Sequence, residues 1–129
     1  MISIVIPTFN EVQNIIPLIK NLIALISDFE YEIIVVDDDS PDGTSDEVNK
    51  YMKINKRIKL ITRIGRSGLS SAIKEGLIFA QGKYVLVLDG DGQHHPSFVL
   101  DMLDVINKKK SDIVIGLSLI HISEPTRPT

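Results

Sequence analysis

The sequence predicts an α/β domain built on a mainly parallel sheet with helices on both faces. Three observations carry that expectation. Five short runs rich in Ile and Val are nearly continuous in apolar residues rather than alternating, as strands buried on both faces are. Segments with apolar residues at helical spacing stand between successive runs. Several runs end directly in clusters of Pro, Asp, Asn and Gly, which stop a strand and turn the chain. At 129 residues, 43% hydrophobic and 24% charged, the chain is large enough to bury one such core.

The elements follow in order. Ile2–Ile6 is a strand stopped by Pro7. Asn14 is placed to cap a helix to about Ser27, whose first turn tolerates Pro17 because amide groups there lack partners, and Ile15, Leu18, Ile19, Leu22, Ile23 and Ile26 form its inner face. Ile33–Val36 is a second buried strand, closed by Asp37-Asp38-Asp39-Ser40-Pro41-Asp42-Gly43, a dense turn signal, before a helix over Ser45–Met52. Strand Ile58–Thr62, helix Ser67–Ala80, strand Tyr84–Leu88, helix Ser97–Asn107 and strand Asp112–Ile115 complete a βαβαβαβαβ order. Right-handed crossovers then bring Thr8–Glu11, Asp37–Asp42 and Asp89–Gln93 to one edge, outside the carboxyl ends of the strands, where open α/β sheets bind ligands. The Lys108–Lys110 triplet reads as a solvated helix end.

Composition narrows the chemistry. The chain holds no cysteine, which excludes disulfides, thiolate metal sites and a cysteine nucleophile. The net charge of −3 argues against a general nucleic-acid binder. The longest apolar runs have four or five residues, against roughly 20 needed to span a bilayer. Met1 leads into an apolar run without a basic segment or cleavage site, so a cytoplasmic chain is expected.

Asp89-Gly90-Asp91-Gly92-Gln93-His94 follows a buried strand directly. Carboxylates at i and i+2 with a carboxamide at i+4 offer oxygen ligands from one side of an extended segment, which suits Mg2+ or Mn2+ sharing a phosphate-bearing substrate, and also fits an ordinary acidic turn. In the second cluster one of Asp37, Asp38 or Asp39 is expected to face the crevice and accept hydrogen bonds from a base or ribose, while Asp39 and Asp42 read as turn and helix caps. Pro7-Thr8-Phe9-Asn10-Glu11 puts a ring and a carboxylate at the rim, though taken alone it is more often an ordinary strand-to-helix turn. Arg63-Ile64-Gly65-Arg66-Ser67-Gly68-Leu69 is either a phosphate-receiving loop at a helix start or a loop with solvated arginines. His94 and His95 are adjacent, so in an extended segment they point apart and cannot easily share a metal; Ser70 and Ser71 lack a nucleophile elbow.

With these segments located, the chain resembles the nucleotide-binding half of family 2 glycosyltransferases, in particular the dolichol-phosphate mannosyltransferase-like and polyprenyl-phosphate glycosyltransferase group. The resemblance rests on four motifs in order over residues 1–116: Pro7–Glu11, Val36–Thr44, Gly68-Leu69 through Ala72 to Gly76, and Asp89–His94. It implies a GT-A (Rossmann-like) fold and a nucleotide-diphosphate sugar such as GDP-mannose or UDP-glucose as ligand. It implies that Pro7, Phe9, Glu11, Val36 and Asp38 hold base and ribose, that Asp89, Gly90 and Asp91 contact the sugar nucleotide with Asp89 and Asp91 catalytic, and that Asp91 and Gln93 bind the metal. Phe9 stands where the family often has tyrosine and keeps the stacking face; Gly90 replaces a frequent alanine. The implied reaction is inverting transfer to a polyprenyl or dolichyl phosphate or another acceptor, by a protein working at the cytoplasmic face of a membrane.

From about residue 117, Leu117-Ser118-Leu119-Ile120-His121-Ile122-Ser123-Glu124-Pro125-Thr126-Arg127-Pro128-Thr129 departs from the family pattern and resembles the in-frame translation of a transposase adapter used in sequencing libraries. Residues 1–116 are therefore expected to be the donor half of a longer domain, with the acceptor part missing, so that the chain binds donor without transferring sugar. Two other classes fit less well. A sugar nucleotidyltransferase needs a glycine-rich basic loop where this chain has Ile4–Phe9, and a phosphoacceptor receiver module needs an acidic pair where it has Pro7-Thr8.

Overall fold

The computed structural model describes residues 1–90, 96–108 and 115–117. The strands are β1 (Ile2–Thr8), β2 (Tyr31–Asp37), β3 (Ile58–Thr62), β4 (Tyr84–Val87) and β5 (Ile115–Leu117). Between them run α1 (Ile15–Ile26), α2 (Thr44–Met52), α3 (Leu69–Phe79) and α4 (Pro96–Lys108). The sheet has the order β3-β2-β1-β4-β5, and every pairing is parallel. The chain walks outward from β1 to β3, then crosses back to lay β4 on the other side of β1. That reversal puts a switch point between β1 and β4. Helices α1 and α2 lie on one face and α3 on the other, as right-handed crossovers in opposite directions require.

Pro7 opens the switch point. The Val5 carbonyl accepts from the Leu88 N–H at 3.0 Å, and the Thr8 carbonyl accepts from the Asp38 N–H at 3.1 Å. Odd residues of β1 thus address β4 and even residues address β2. Pro7 is the next odd residue and has no N–H to offer β4. The β1–β4 register ends at Val5↔Val87, while β1 stays paired with β2 as far as Thr8↔Asp37. The strand predicted to stop at Ile6 therefore runs on to Thr8 along one side only.

Two apolar layers hold the sheet. Ile4, Ile6, Ile33, Val35, Leu86 and Leu88 face α1, α2 and α4, meeting Ile15, Ile19, Leu22, Val48, Val99 and Leu103. Val5, Ile34, Val36, Val85 and Val87 face α3 through Ala72, Ile73 and Leu77. Gly76 lets α3 lie close, because a Cβ there would collide with a methyl of Val5 and come within 3.3 Å of Val36 Cγ2. At the opposite end of the strands from the loops that form the site, Glu32 is buried. Its carboxylate accepts from Ser3 Oγ at 2.6 Å, Lys59 Nζ at 2.7 Å and the Gln81 N–H at 2.7 Å. Burial pulls this carboxyl up, but the bonds from Gln81, Lys59 and Ser3 together hold it below its ordinary value.

Several boundaries differ from expectation. Helix α3 starts at Leu69 rather than Ser67, because Gly68 has φ 115° and ψ 139°, which no helix contains. Helix α2 starts at Thr44, after Gly43 at φ 95°. Asn14 does not cap α1 with its side chain; its Nδ2 donates to Glu11 Oε2 at 3.0 Å instead. The described part of β5 is Ile115–Leu117, and the expected strand residues 112–114 lie outside the described residues. Among the described residues no helix is long and apolar enough to cross a membrane.

Gly76→Ala is expected to destabilise the fold by about 1–3 kcal/mol through overpacking against Val5, read as a lower urea midpoint. Adding Val5→Ala should recover part of that loss, and an unchanged midpoint for Gly76→Ala would contradict the close approach of α3.

Candidate functional site

Parallel strands deliver four loops to one edge of the sheet, and side chains lace the first two together. The Asn10 N–H donates to Ser40 Oγ at 2.8 Å, the Glu11 N–H to Thr44 Oγ1 at 3.1 Å, and the Val12 N–H to Asp42 Oδ2 at 3.1 Å. Asn10 and Asp39 sit at φ 57° and 52°, a region these two residue types tolerate better than most. Asp42 caps its turn as expected, accepting from the Thr44 N–H at 3.0 Å. Burial raises its pKa, but bonds from the Thr44 hydroxyl and from the Val12 and Thr44 amides outweigh it and leave it lowered. Asp37 is fully buried and works inward: it accepts from Thr8 Oγ1 at 2.8 Å, from the Ser40 N–H at 3.0 Å and hydroxyl at 2.6 Å, and from Ser45 Oγ at 2.8 Å.

The third loop is built on a buried guanidinium. Arg63 is 1% exposed. Its Nε donates to Asp38 Oδ1 at 2.7 Å, its Nη1 to Ser71 Oγ and Glu75 Oε2, both at 2.8 Å, and its Nη2 to the Gly68 carbonyl at 3.0 Å. The other oxygen of Asp38 accepts the Gly68 N–H at 2.9 Å. One cation thus joins the end of β2, the end of β3 and the first turns of α3. Arg66 adds a two-point pair to Glu75, with Nε to Oε2 at 3.0 Å and Nη2 to Oε1 at 2.8 Å. Hydrogen bonds from Arg66 first, and then from Arg63, hold the Glu75 carboxyl down at about 2.

These loops border an open cleft of about 530 Å³ lined by Phe9, Asp38, Asp39, Arg63, Gly65, Arg66 and Ser67. Of the residues that the resemblance assigns to the base and ribose, the structure brings Phe9 and Asp38 together there, beside Asp39 and the Arg63–Ser67 loop. Glu11 is half-buried beside the cross-laced loops. Pro7 is buried in β1, and Val36 is wholly inside the layer beneath α3, so the Val36 side chain serves the core. Asp89 and Gly90 follow β4, across β1 from the cleft. Gly90 lies so near β1 that a Cβ on it would stand 2.6 Å from Thr8 Cγ2 and 3.0 Å from the Pro7 carbonyl oxygen. Asp91 and Gln93, assigned as metal ligands, lie outside the described residues, as do His94 and His95. Among the described residues no three His, Asp or Glu side chains gather in a way that could hold a metal ion.

A sequence model of glycosyl transferase family 2 matches residues 3–129. The chain belongs to glycosyl transferase family 2. The dolichol-phosphate mannosyltransferase of Pyrococcus furiosus is 38% identical over 115 residues, which are 89% of this chain and 32% of that protein. The mannosyltransferase PcManGT from Pyrobaculum calidifontis, solved in complex with GDP-Man and Mn2+, superposes with a TM-score of 0.56 at 28% identity over 70% of this chain and 27% of its own. S. aureus TarS in complex with UDP superposes with a TM-score of 0.65 at 28% identity, over 83% of this chain and 32% of its own. The chain thus spans about a third of the length of these proteins. The family 2 assignment and the GT-A fold agree with the resemblance read from the motifs.

Two parts of this family 2 site escaped the sequence reading. Arg63 was legible only as a loop arginine, solvated or phosphate-binding, and proves to be the anchor of the loop. Glu75 carried no signal beyond its place on a helix; the clue available was two arginines preceding a helix that bears an acid near its middle.

Removing Arg63 takes the cationic partner from the buried Asp38 carboxylate, so Arg63→Met should cost about 3–5 kcal/mol in urea unfolding, with Arg63→Lys unable to restore the forked pairing. The Glu75 pairing stabilises the fold fully above the ordinary carboxyl value of 4.5 and loses that contribution as pH falls from there towards 2. Melting temperatures between pH 6 and pH 3 should therefore fall less steeply for Glu75→Gln than for the wild type.

Proposed function

We propose that this chain is the donor-binding part of an inverting, metal-dependent glycosyltransferase that takes a sugar from a nucleotide-diphosphate sugar to a polyprenyl or dolichyl phosphate. The observation that carries this reading is the placement, in a family 2 chain, of the Phe9 and Asp38 cleft and the Asp89-Gly90 turn at one sheet edge on either side of the β1 end. The ligands bound by two structural neighbours, GDP-Man with Mn2+ and UDP, support a nucleotide at that edge, and the dolichol-phosphate mannosyltransferase relatives support a lipid phosphate as acceptor.

In this reading Phe9 offers its ring to the base, and Pro7, Glu11, Val36 and Asp38 complete the base and ribose site, with Val36 contributing main chain because its side chain is buried under α3. Asp89, Gly90 and Asp91 contact the sugar nucleotide, with Asp89 and Asp91 catalytic. Asp91 and Gln93 supply the oxygen donors suited to Mg2+ or Mn2+. When bound, such an ion neutralises charge on the nucleoside diphosphate leaving group. An acceptor phosphate is already anionic at neutral pH, so its oxygen attacks the anomeric carbon without a strong general base, and the bond to the diphosphate oxygen breaks with inversion. In this reading residues 1–116 form the donor part, and the tail from about residue 117, where β5 ends, is extraneous to it. The full-length protein would work at the cytoplasmic face of a membrane.

Thermal unfolding with Mn2+ and either GDP or UDP tests the reading. At a hundred-fold excess over Kd a ligand adds about 2.7 kcal/mol, so the melting temperature should rise by at least about 5 °C over Mn2+ alone. No rise with any nucleoside diphosphate would sink it.

A further inference from the structure

Phe9 follows β1 and Arg66 follows β3, the two strands on either side of β2, and both line one cleft. Asp38, at the end of β2, and Arg63 lie in the same cleft and bond to each other, with both Asp38 oxygens already accepting hydrogen bonds. The middle of the cleft is thus a self-satisfied ion pair flanked by a ring on one side and a guanidinium on the other. Arg66 is 56% exposed and paired with Glu75. Glu75 Oε2 also accepts from Arg63 Nη1 at 2.8 Å, so it keeps a cationic partner if Arg66 leaves. Gly65 at φ 79° and Gly68 at φ 115° bracket the Arg66-Ser67 pair with backbone that other residues rarely adopt.

We propose that Arg66 is a clamp: on ligand entry it leaves Glu75 and lays its planar guanidinium on the face of the nucleobase opposite Phe9, while Arg63 stays on Glu75. The inference rests on the nucleotide reading above and adds a residue to it. The cost of giving up the two-point pair is limited because Glu75 keeps its bond from Arg63, and a guanidinium stacks on a flat π-system where an ammonium, a hydrated point charge, does not lie flat. The clamp grips the face of the base rather than its edge, so purine and pyrimidine ligands gain from it alike.

Calorimetric titration of the wild type, Arg66→Ala and Arg66→Lys separates the possibilities, using GDP, UDP and inorganic diphosphate, each with Mn2+. Arg66→Ala should weaken GDP and UDP by roughly ten-fold and leave inorganic diphosphate unchanged, and Arg66→Lys should recover less than half of the loss. Unchanged nucleotide binding in Arg66→Ala overturns the clamp. So does an equal loss for inorganic diphosphate, which would make Arg66 a phosphate ligand, or full recovery by lysine, which would make charge alone sufficient. Wild-type protein that binds neither GDP nor UDP refutes the nucleotide reading itself and the clamp with it.

Discussion

A fully buried arginine must find partners for its donors or the fold cannot hold it, and the carboxyl edge of this sheet is organised around that constraint. Arg63 reaches Asp38 on β2's exit, the Gly68 carbonyl at the start of α3, and Ser71 and Glu75 one and two turns further on. Asp38 returns a bond to the Gly68 amide. The position of α3 relative to the loops after β2 and β3 is therefore set by directed, charge-assisted bonds rather than by apolar contact alone. Because low dielectric strengthens each of these bonds and makes any unpaired one costly, the group acts as a unit.

The two sides of the site are held by different physics. On the β2–β3 side the cleft floor is polar and satisfied within itself. On the β1–β4 side the determinant is a missing donor: Pro7 ends the ladder to β4, and Gly90 then fits against Thr8 and the Pro7 carbonyl in the space left. Thr8 joins the two sides, with its hydroxyl on Asp37 and its methyl facing Gly90. Loops from distant parts of the chain are thereby kept at one edge of the sheet.

The layout of strands and helices was legible because both faces of the sheet are buried, which leaves runs such as Ile33–Val36 unbroken by polar residues. The convergence of Pro7–Glu11, Asp37–Asp42 and Asp89-Gly90 followed from parallel topology alone. What could not be read were partners that depend on distance across the fold. Arg63 in a glycine-containing loop has the local signature of a solvated side chain, and only the approach of α3, permitted by Gly76, buries it. Asp37, Asp38 and Asp39 are equivalent in sequence, yet the first is turned inward to Thr8 and Ser45, the second is locked to Arg63, and the third is exposed at φ 52°. Asn14 matched a helix cap by residue type, but its amide reaches Glu11 instead.

The sheet order also bears on how the chain is made. β1 leaves the ribosome before both of its neighbours and ends up in the middle of the sheet, with β2 on one side and β4 on the other. Its β2 edge can close as soon as residue 37 has emerged, while its β4 edge stays open until residues 84–87 are present. The long-range bonds from Gln81 to Glu32 and from Gly82 to Ser3 fall in the same late interval. A nascent chain therefore carries β1 with one open, Ile- and Val-rich edge until residue 87 has emerged.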